Sequence, residues 1–351
     1  MKIPRRKTKT ICIGNVRIGT NYPIAIQAMT KTKTADSEKT IKQINELKKV
    51  GCEIVRLAVK DRADAQALKK IKQRTNIPIV ADIHFNWRLG IEAIDNGADK
   101  IRLNPGNIYK KEQIREIAQA AKLSRIPIRV GVNSVSLRKT KKTAQSMVQS
   151  ALDYIKTLEK CGFYNIVISL KSSQIFQTLE AYRKMAKSCD YPFHLGVTAT
   201  GSPYLGLIKS SIALSILLLE GIGDTIRVSL TDEPQAEVKA AKSILESLGL
   251  RCFGPEIISC PTCGRCEIDL IKIVRSLDER LSVIRPLSAL PMKVAVMGCL
   301  VNGPGEAKEA DLGIAFGRKE GLLFKKGKAI RRIPFHNCTY ILLKEISHIM
   351  H

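Results

Sequence analysis

Between residues 23 and 249 the sequence alternates short β-rich runs with stretches of helical period, eight times over, and this rhythm constrains the fold more than any other feature. Strands are expected at 23–29, 53–59, 77–84, 100–104, 126–133, 165–171, 192–198 and 224–230. Apolar residues spaced for one helix face follow each run, as in Ile41, Ile44, Leu47 and Val50, or Val238, Ala241, Ile244, Leu245 and Leu248. Asp36 and Ser37 offer caps for the first helix, and Gly51 sits just past its end. Eight such units in roughly 230 residues predict an α/β fold, a closed (β/α)8 barrel of TIM type, which commonly takes about 250. A doubly wound open sheet is the rival, but no Gly-x-Gly-x-x-Gly follows the first strand.

After Gly254 the rhythm breaks. A helix at 267–281, strands at 293–297, 312–316, 322–325 and 330–333, and a closing helix at 337–349 predict a small α+β domain. The expected division is a substrate-binding barrel over 1–254 and a cysteine-bearing domain over 255–351.

Polar residues recur at period two near the carboxyl ends of the barrel strands, and that spacing places them on one face. They are Arg102 with Asn104, Arg129 with Asn133, Ser169 with Lys171, and Arg227 with Ser229, joined by Arg56, Asp82 and His84. Against Arg56, Arg102, Arg129, Lys171 and Arg227 stands little more than Asp82 among inward carboxylates. An unpaired interior charge is very unfavourable, so the excess calls for a multiply charged anion such as phosphate, which guanidinium forks match two oxygens at a time. Internal salt bridges are the plainer account. His84 beside Asp82 is an acid–base candidate, and Asn104-Pro105-Gly106-Asn107 either offers backbone N–H groups to a ligand or simply reverses the chain.

Four of ten cysteines lie between Cys260 and Cys299. The others, Cys12, Cys52, Cys161, Cys189, Cys252 and Cys338, read as small packing residues. Residues 1–18 lack the apolar stretch of a secretory signal, and 212–219 is too short for a membrane span. The expected compartment is therefore the cytoplasm, where thiols or metal ligands are favoured over disulfides. Cys260-Pro-Thr-Cys263-Gly-Arg-Cys266, with Cys299 and Glu306 downstream, has metal-binding spacing. A zinc knuckle and an iron–sulfur cluster both fit, and motif counting does not decide between them. The charge of +26 raises nucleic acid as a partner, but 5% aromatics and lysines scattered over helix faces argue against it. Such a surface equally suits an acidic protein partner.

Taken together, Gln27-Ala-Met-Thr30, Ala81-Asp-Ile-His-Phe85, Arg102-Leu-Asn-Pro-Gly-Asn107, Gly221-Ile-Gly-Asp-Thr225, Cys260-Pro-Thr-Cys-Gly264 and Asn302-Gly-Pro-Gly-Glu306 are highly specific. Through them the chain resembles the 4-hydroxy-3-methylbut-2-en-1-yl diphosphate synthases of the methylerythritol phosphate route to isoprenoids, in their bacterial two-domain form. The resemblance implies an oxidoreductase that opens the cyclic diphosphate of methylerythritol and removes an oxygen as water. Two electrons would come from flavodoxin or ferredoxin through a 4Fe-4S cluster. By position, Cys260, Cys263 and Cys299 would be thiolate ligands and Glu306 a replaceable fourth ligand. Arg56, Arg102, Arg129 and Lys171 match diphosphate-binding positions, with Asn104, Asn133, Thr198, Arg227 and Ser229 lining the same pocket.

The resemblance also implies a homodimer, with the cluster domain of one subunit closing over the barrel of the other, and no nucleic-acid or membrane partner. Three positions depart from the pattern. Thr198-Ala199-Thr200-Gly201 lacks an acidic residue, Cys266 adds a thiol that leaves Cys263 and Cys266 open as an alternative ligand pair, and Val135 replaces a glycine. With Ala199 unable to supply a proton, Asp82, His84 or a bound water is expected to do so. The alternatives are a nucleic-acid-binding protein with a zinc knuckle and a barrel enzyme acting on another phosphate ester, such as a pterin.

Overall fold

The computed structural model describes residues 3–137, 142–198, 201–266, 268–284 and 292–350. The chain forms two compact units, Met1–Arg251 and Cys252–His351.

The first unit opens with a small antiparallel hairpin, β1 (Ile11–Ile13) and β2 (Val16–Ile18), turning at Gly14, whose φ of +54° suits glycine. Eight parallel strands follow: β3 (Ala25–Met29), β4 (Ile54–Val59), β5 (Ile79–Ile83), β6 (Lys100–Leu103), β7 (Ile128–Asn133), β8 (Ile166–Lys171), β9 (His194–Leu195) and β10 (Thr225–Ile226). Hydrogen bonding runs in the order β8-β7-β6-β5-β4-β3-β10-β9, and a parallel bridge between Ile168 and Phe193 joins the two ends into a barrel. The helices between them are α1 (Ser37–Lys49), α2 (Arg62–Gln73), α3 (Arg88–Asp95), α4 (Lys111–Leu123), α5 (Ala144–Lys160), α6 (Ile175–Ala186), α7 (Pro203–Leu219) and α8 (Pro234–Ser247).

Local chemistry accounts for these elements. Asp36 caps α1 by accepting from the Lys39 amide at 3.2 Å, and the helix buries Ile41, Ile44 and Leu47. Each such side chain contributes about 1.5–3 kcal/mol. Beyond Lys49 the chain turns at Gly51, where φ is +100°. The strands are buried on both faces, as in parallel barrels; all six residues of β8 are buried.

The expected seventh and eighth strands, 192–198 and 224–230, shrink to two residues each. Their ladder stops where Gly196 lies against the Lys171 side chain and the Arg227 carbonyl, so that the wall gives way to polar side chains. At the opposite end Ile11, Ile13 and Ile18 of the hairpin pack on the inward residues Ala25, Ile54, Val80 and Val167 and close the amino end of the barrel. The hairpin was not expected from the sequence, and Cys12 on it is exposed rather than packed.

The second unit is a five-stranded sheet in the order β11 (Pro255–Ser259), β12 (Met292–Met297), β13 (Leu312–Phe316), β14 (Glu320–Lys325), β15 (Lys328–Pro334). The first three run parallel and the rest antiparallel. One face packs on α9 (Leu270–Ile284) and α11 (Cys338–Met350) through Leu277, Leu281, Leu342 and Ile346. The other is covered by α10 (Gly303–Glu309), whose Ala307 meets Ala295, Met297 and Ala315. Gly313 makes this possible, since a Cβ there would lie 2.3 Å from the Ala307 carbonyl.

All ten cysteines are free thiols. No helix among the described residues is long and apolar enough to cross a membrane.

Candidate active site

Register carries the charges inward. Asp82 pairs with Arg102, Arg102 with Arg129, Gly131 with Ser169, and Asn133 with Lys171, so all face the barrel axis above the apolar layer. Arg56, Asp82, His84, Arg102, Asn104, Arg129, Asn133, Lys171, Thr198, Arg227 and Ser229 line one cavity of about 300 Å³ at the carboxyl ends of the strands, with Asn107 and Val197.

Asp82 is the anchor of this cradle. Its carboxylate accepts from Arg102 Nη1 at 3.2 Å and lies 3.7 Å from Arg56 Nε and 3.8 Å from His84 Nε2. Burial opposes its ionisation, but Arg56, Arg102, Arg129 and His84 outweigh burial and hold the carboxyl at about 2. Those neighbours favour Asp82 as an anion that orders them, over the proton source expected from the sequence. Its carboxylate also faces the half-buried His84 ring.

Arg102 also donates to the Gly131 carbonyl at 3.0 Å and crosses Gly131 so closely that a Cβ there would stand 2.6 Å from its Nε. Arg56 directs Nε and Nη2 at the Met29 sulfur, at 3.0 and 2.9 Å, a weak acceptor that a phosphate oxygen readily replaces. Arg129 is 1% exposed, and its Nε and Nη1 find no hydrogen-bond partner among the described residues. Burial first, then Arg56 and Arg102, disfavour its charged form.

A second carboxylate enters from a helix: it shares the buried stripe of Ala241 and Ile244, a position the sequence reading did not single out. Glu237 of α8 is 2% exposed, lies 3.5 Å from Arg227 Nε, and accepts from the Leu230 amide at 3.0 Å. Burial and Arg56 bring Arg227 down to about 10. Lys100 and His194 were also missed, although each stands at period two from an inward residue; both are fully buried. The Asn104–Asn107 turn is internally satisfied, because the Gly106 amide donates to Asn104 Oδ1 and the Asn107 amide to the Asn104 carbonyl. It reverses the chain and offers neither amide to a ligand. Ala199, the position without an acidic residue, lies outside the described residues.

In the second unit Cys260 follows β11 and accepts from the Gly298 amide at 3.3 Å. Cys266 Sγ donates to the Ile268 carbonyl at 3.4 Å and packs on Gly298, where a Cβ would come within 2.4 Å of it. Two thiols are held below the usual range. Cys263 is lowered by the Arg265 backbone and then its side chain, and Cys299 by the amides of Asn302 and Val301. Glu306 is exposed in the first turn of α10, a turn that Pro304 suits because it needs no N–H bond there. Among the described residues no three His, Cys, Asp or Glu side chains converge to hold a metal ion. The donor types nonetheless fit a thiolate-bound iron–sulfur cluster: thiols biased toward thiolate, and an N–H group directed at sulfur.

Two family models match the chain, the GcpE TIM-barrel domain over residues 8–242 and the GcpE protein C-terminal domain over residues 256–348. Curated relatives span nearly its whole length. A protein of Caldanaerobacter subterraneus subsp. tengcongensis is 52% identical over 98% of this chain and 97% of its own. One of Bacillus subtilis is 49% identical over 98% and 92%. Both are described as 4-hydroxy-3-methylbut-2-en-1-yl diphosphate synthase (flavodoxin). Among solved structures, dihydropteroate synthase of Xanthomonas albilineans has a TM-score of 0.52 at 11% identity, covering 69% of this chain and 99% of that one. The enzyme of Yersinia pestis gives 0.52 at 10%, over 68% and 98%. At such identities the likeness speaks for the barrel fold alone.

Proposed function

The chain belongs to the GcpE family, and from that premise we propose that its barrel mouth grips 2-C-methyl-D-erythritol 2,4-cyclodiphosphate while its second unit brings in electrons. The activity is that of an oxidoreductase: the cyclic diphosphate is opened to 4-hydroxy-3-methylbut-2-en-1-yl diphosphate with loss of one oxygen as water. Removing that oxygen as water consumes two electrons and two protons.

The observation that carries the reading is the cation excess in one cavity. Arg56, Arg102, Arg129, Lys171 and Arg227 face Asp82 and Glu237, and Arg129 keeps two N–H-bearing atoms unmatched. A diphosphate supplies the missing negative charge and the acceptors. Asn104, Asn133, Thr198 and Ser229 hold the remaining polar edge of the substrate, and His84 moves a proton at its ring nitrogen.

The first unit is the substrate-binding domain and the second the cluster domain. Cys260, Cys263 and Cys299 would hold a 4Fe-4S cluster, with Glu306 as an exchangeable fourth ligand. When bound, that group passes electrons singly at low potential. Flavodoxin, named in the relatives' descriptions, is the donor, with ferredoxin the second choice, and the +26 surface suits an acidic partner of either kind. The enzyme acts in the cytoplasm as a homodimer, for which Leu205, Ile208, Ile212 and Leu219 give α7 an outward apolar face.

Anaerobically purified protein should be brown, contain iron and sulfide, and convert the cyclic diphosphate with a chemical reductant. A colourless zinc protein without turnover would overturn the reading. Arg129→Met should abolish substrate binding while leaving iron content intact.

A further inference from the structure

His194 has no part in the chemistry described so far, yet it is fully buried on the inward face of β9, beside Thr225 of β10. One ring nitrogen, Nδ1, lies 2.8 Å from Thr225 Oγ1, and the other, Nε2, lies 3.5 Å from Lys171 Nζ. The backbone on both sides is pinned. Tyr182 Oη donates to the His194 carbonyl at 2.6 Å and accepts from the amide of Leu170, next to Lys171, at 3.0 Å. Two residues beyond His194, Gly196 leaves its α-carbon bare against the amine, since a Cβ there would lie 2.5 Å from Lys171 Nζ.

We propose that His194 is a positioning residue for Lys171: anchored by Thr225, it accepts a hydrogen bond from the Lys171 ammonium at Nε2 and holds the remaining N–H groups toward the diphosphate. This rests on Lys171 as a phosphate-gripping cation and deepens that reading. A neutral imidazole has one donor and one acceptor, so giving Nδ1–H to the Thr225 hydroxyl leaves Nε2 to accept.

The titratable groups facing His194 are basic: Arg129 of β7, Lys171 of β8, Lys100 of β6 and Arg56 of β4. Burial and that company hold the ring neutral, well below the ordinary histidine range. Burial, with Arg227, Arg56, Arg129 and Arg102, also disfavours the charged form of Lys171. An acceptor at Nε2 and an arriving phosphate both favour that form. His194 thus helps keep the proton on Lys171, before and after the diphosphate arrives.

The test is binding and turnover of the cyclic diphosphate by the loaded enzyme across the alkaline range, for the parent, His194→Phe, His194→Gln and Lys171→Met. His194→Phe should weaken binding about tenfold with kcat nearly unchanged, as expected for losing one hydrogen bond to a charged group. Without the acceptor the ammonium is lost at lower pH, so the alkaline limb of affinity moves to lower pH. His194→Gln, whose amide oxygen reaches the place of Nε2, should restore most of both. A folded His194→Phe protein with parental affinity and an unmoved limb overturns the proposal. If His194→Phe does not fold, Thr225→Val serves instead: a downshifted limb supports the anchor, and an unmoved one overturns it. Should Lys171→Met bind as the parent does, the reading of Lys171 falls and the proposal with it. Loss of affinity in Lys171→Met but not in His194→Phe removes only the positioning role.

Discussion

The Asp82 carboxylate accepts from Arg102 Nη1 at 3.2 Å while lying 3.7 Å from Arg56 Nε, so a single anion orders two arms of the cation cradle. Its carboxyl sits at about 2 against an ordinary 3.8, and a depressed carboxylate contributes stability above the ordinary value that is lost as pH falls through the folded one. Asp82→Asn should therefore lower stability by ~3–5 kcal/mol at neutral pH, because buried guanidinium groups lose their counter-charge. In urea unfolding, the gap between variant and parent should narrow as pH falls from 3.8 to about 2. A gap that stays constant over that window would show that the charge is not what stabilises the site.

Gly131→Ala should displace Arg102, since the new Cβ would meet Nε at 2.6 Å. The expected outcome is about tenfold weaker binding of the cyclic diphosphate, as one charged grip is misplaced. Overpacking should cost ~1–3 kcal/mol in the urea-measured stability. Calorimetry on the folded variant checks the first, and unchanged affinity would mean that Arg102 does not hold the ligand.

Tyr182→Phe should leave the Leu170 amide and the His194 carbonyl unsatisfied in the barrel wall, since the phenol oxygen joins both. Loss of ~1–3 kcal/mol follows from orphaning buried polar groups. Hydrogen exchange at the Leu170 amide should accelerate more than at the Ile168 amide, which bonds the Pro192 carbonyl directly.

With iron removed, Cys263 and Cys299 should alkylate first at neutral pH, because both thiols are held below the usual range. Cys52, buried and pushed up to about 12, should alkylate last. Arg265→Gln should slow Cys263 more than Cys299, whose thiolate depends first on the Asn302 and Val301 amides. Peptide mapping by mass spectrometry reads each rate.

The barrel was legible because parallel strands buried on both faces read as β-rich runs and their helices keep one apolar stripe. The inward charges were legible too, since period two places Arg102 with Asn104 and Ser169 with Lys171 on one face. Lys100 and His194 carried that same signal. Glu237 carried a helical one, lying four residues before Ala241 and seven before Ile244 on the buried stripe of α8, where an acidic residue is out of place unless paired. The three-residue hairpin strands were too short to show a period, and the seven-residue α10 around Gly303-Pro304-Gly305 was too short as well. The ionisation of Asp82 was also beyond reach, since only the closed barrel brings to it the guanidinium groups that favour its anion.

The isoleucine plug under the barrel makes it a vessel with one doorway. Substrate and product must pass through the same opening and rest on the same guanidinium floor. Leftover product therefore excludes fresh substrate, and the two should displace one another in equilibrium binding.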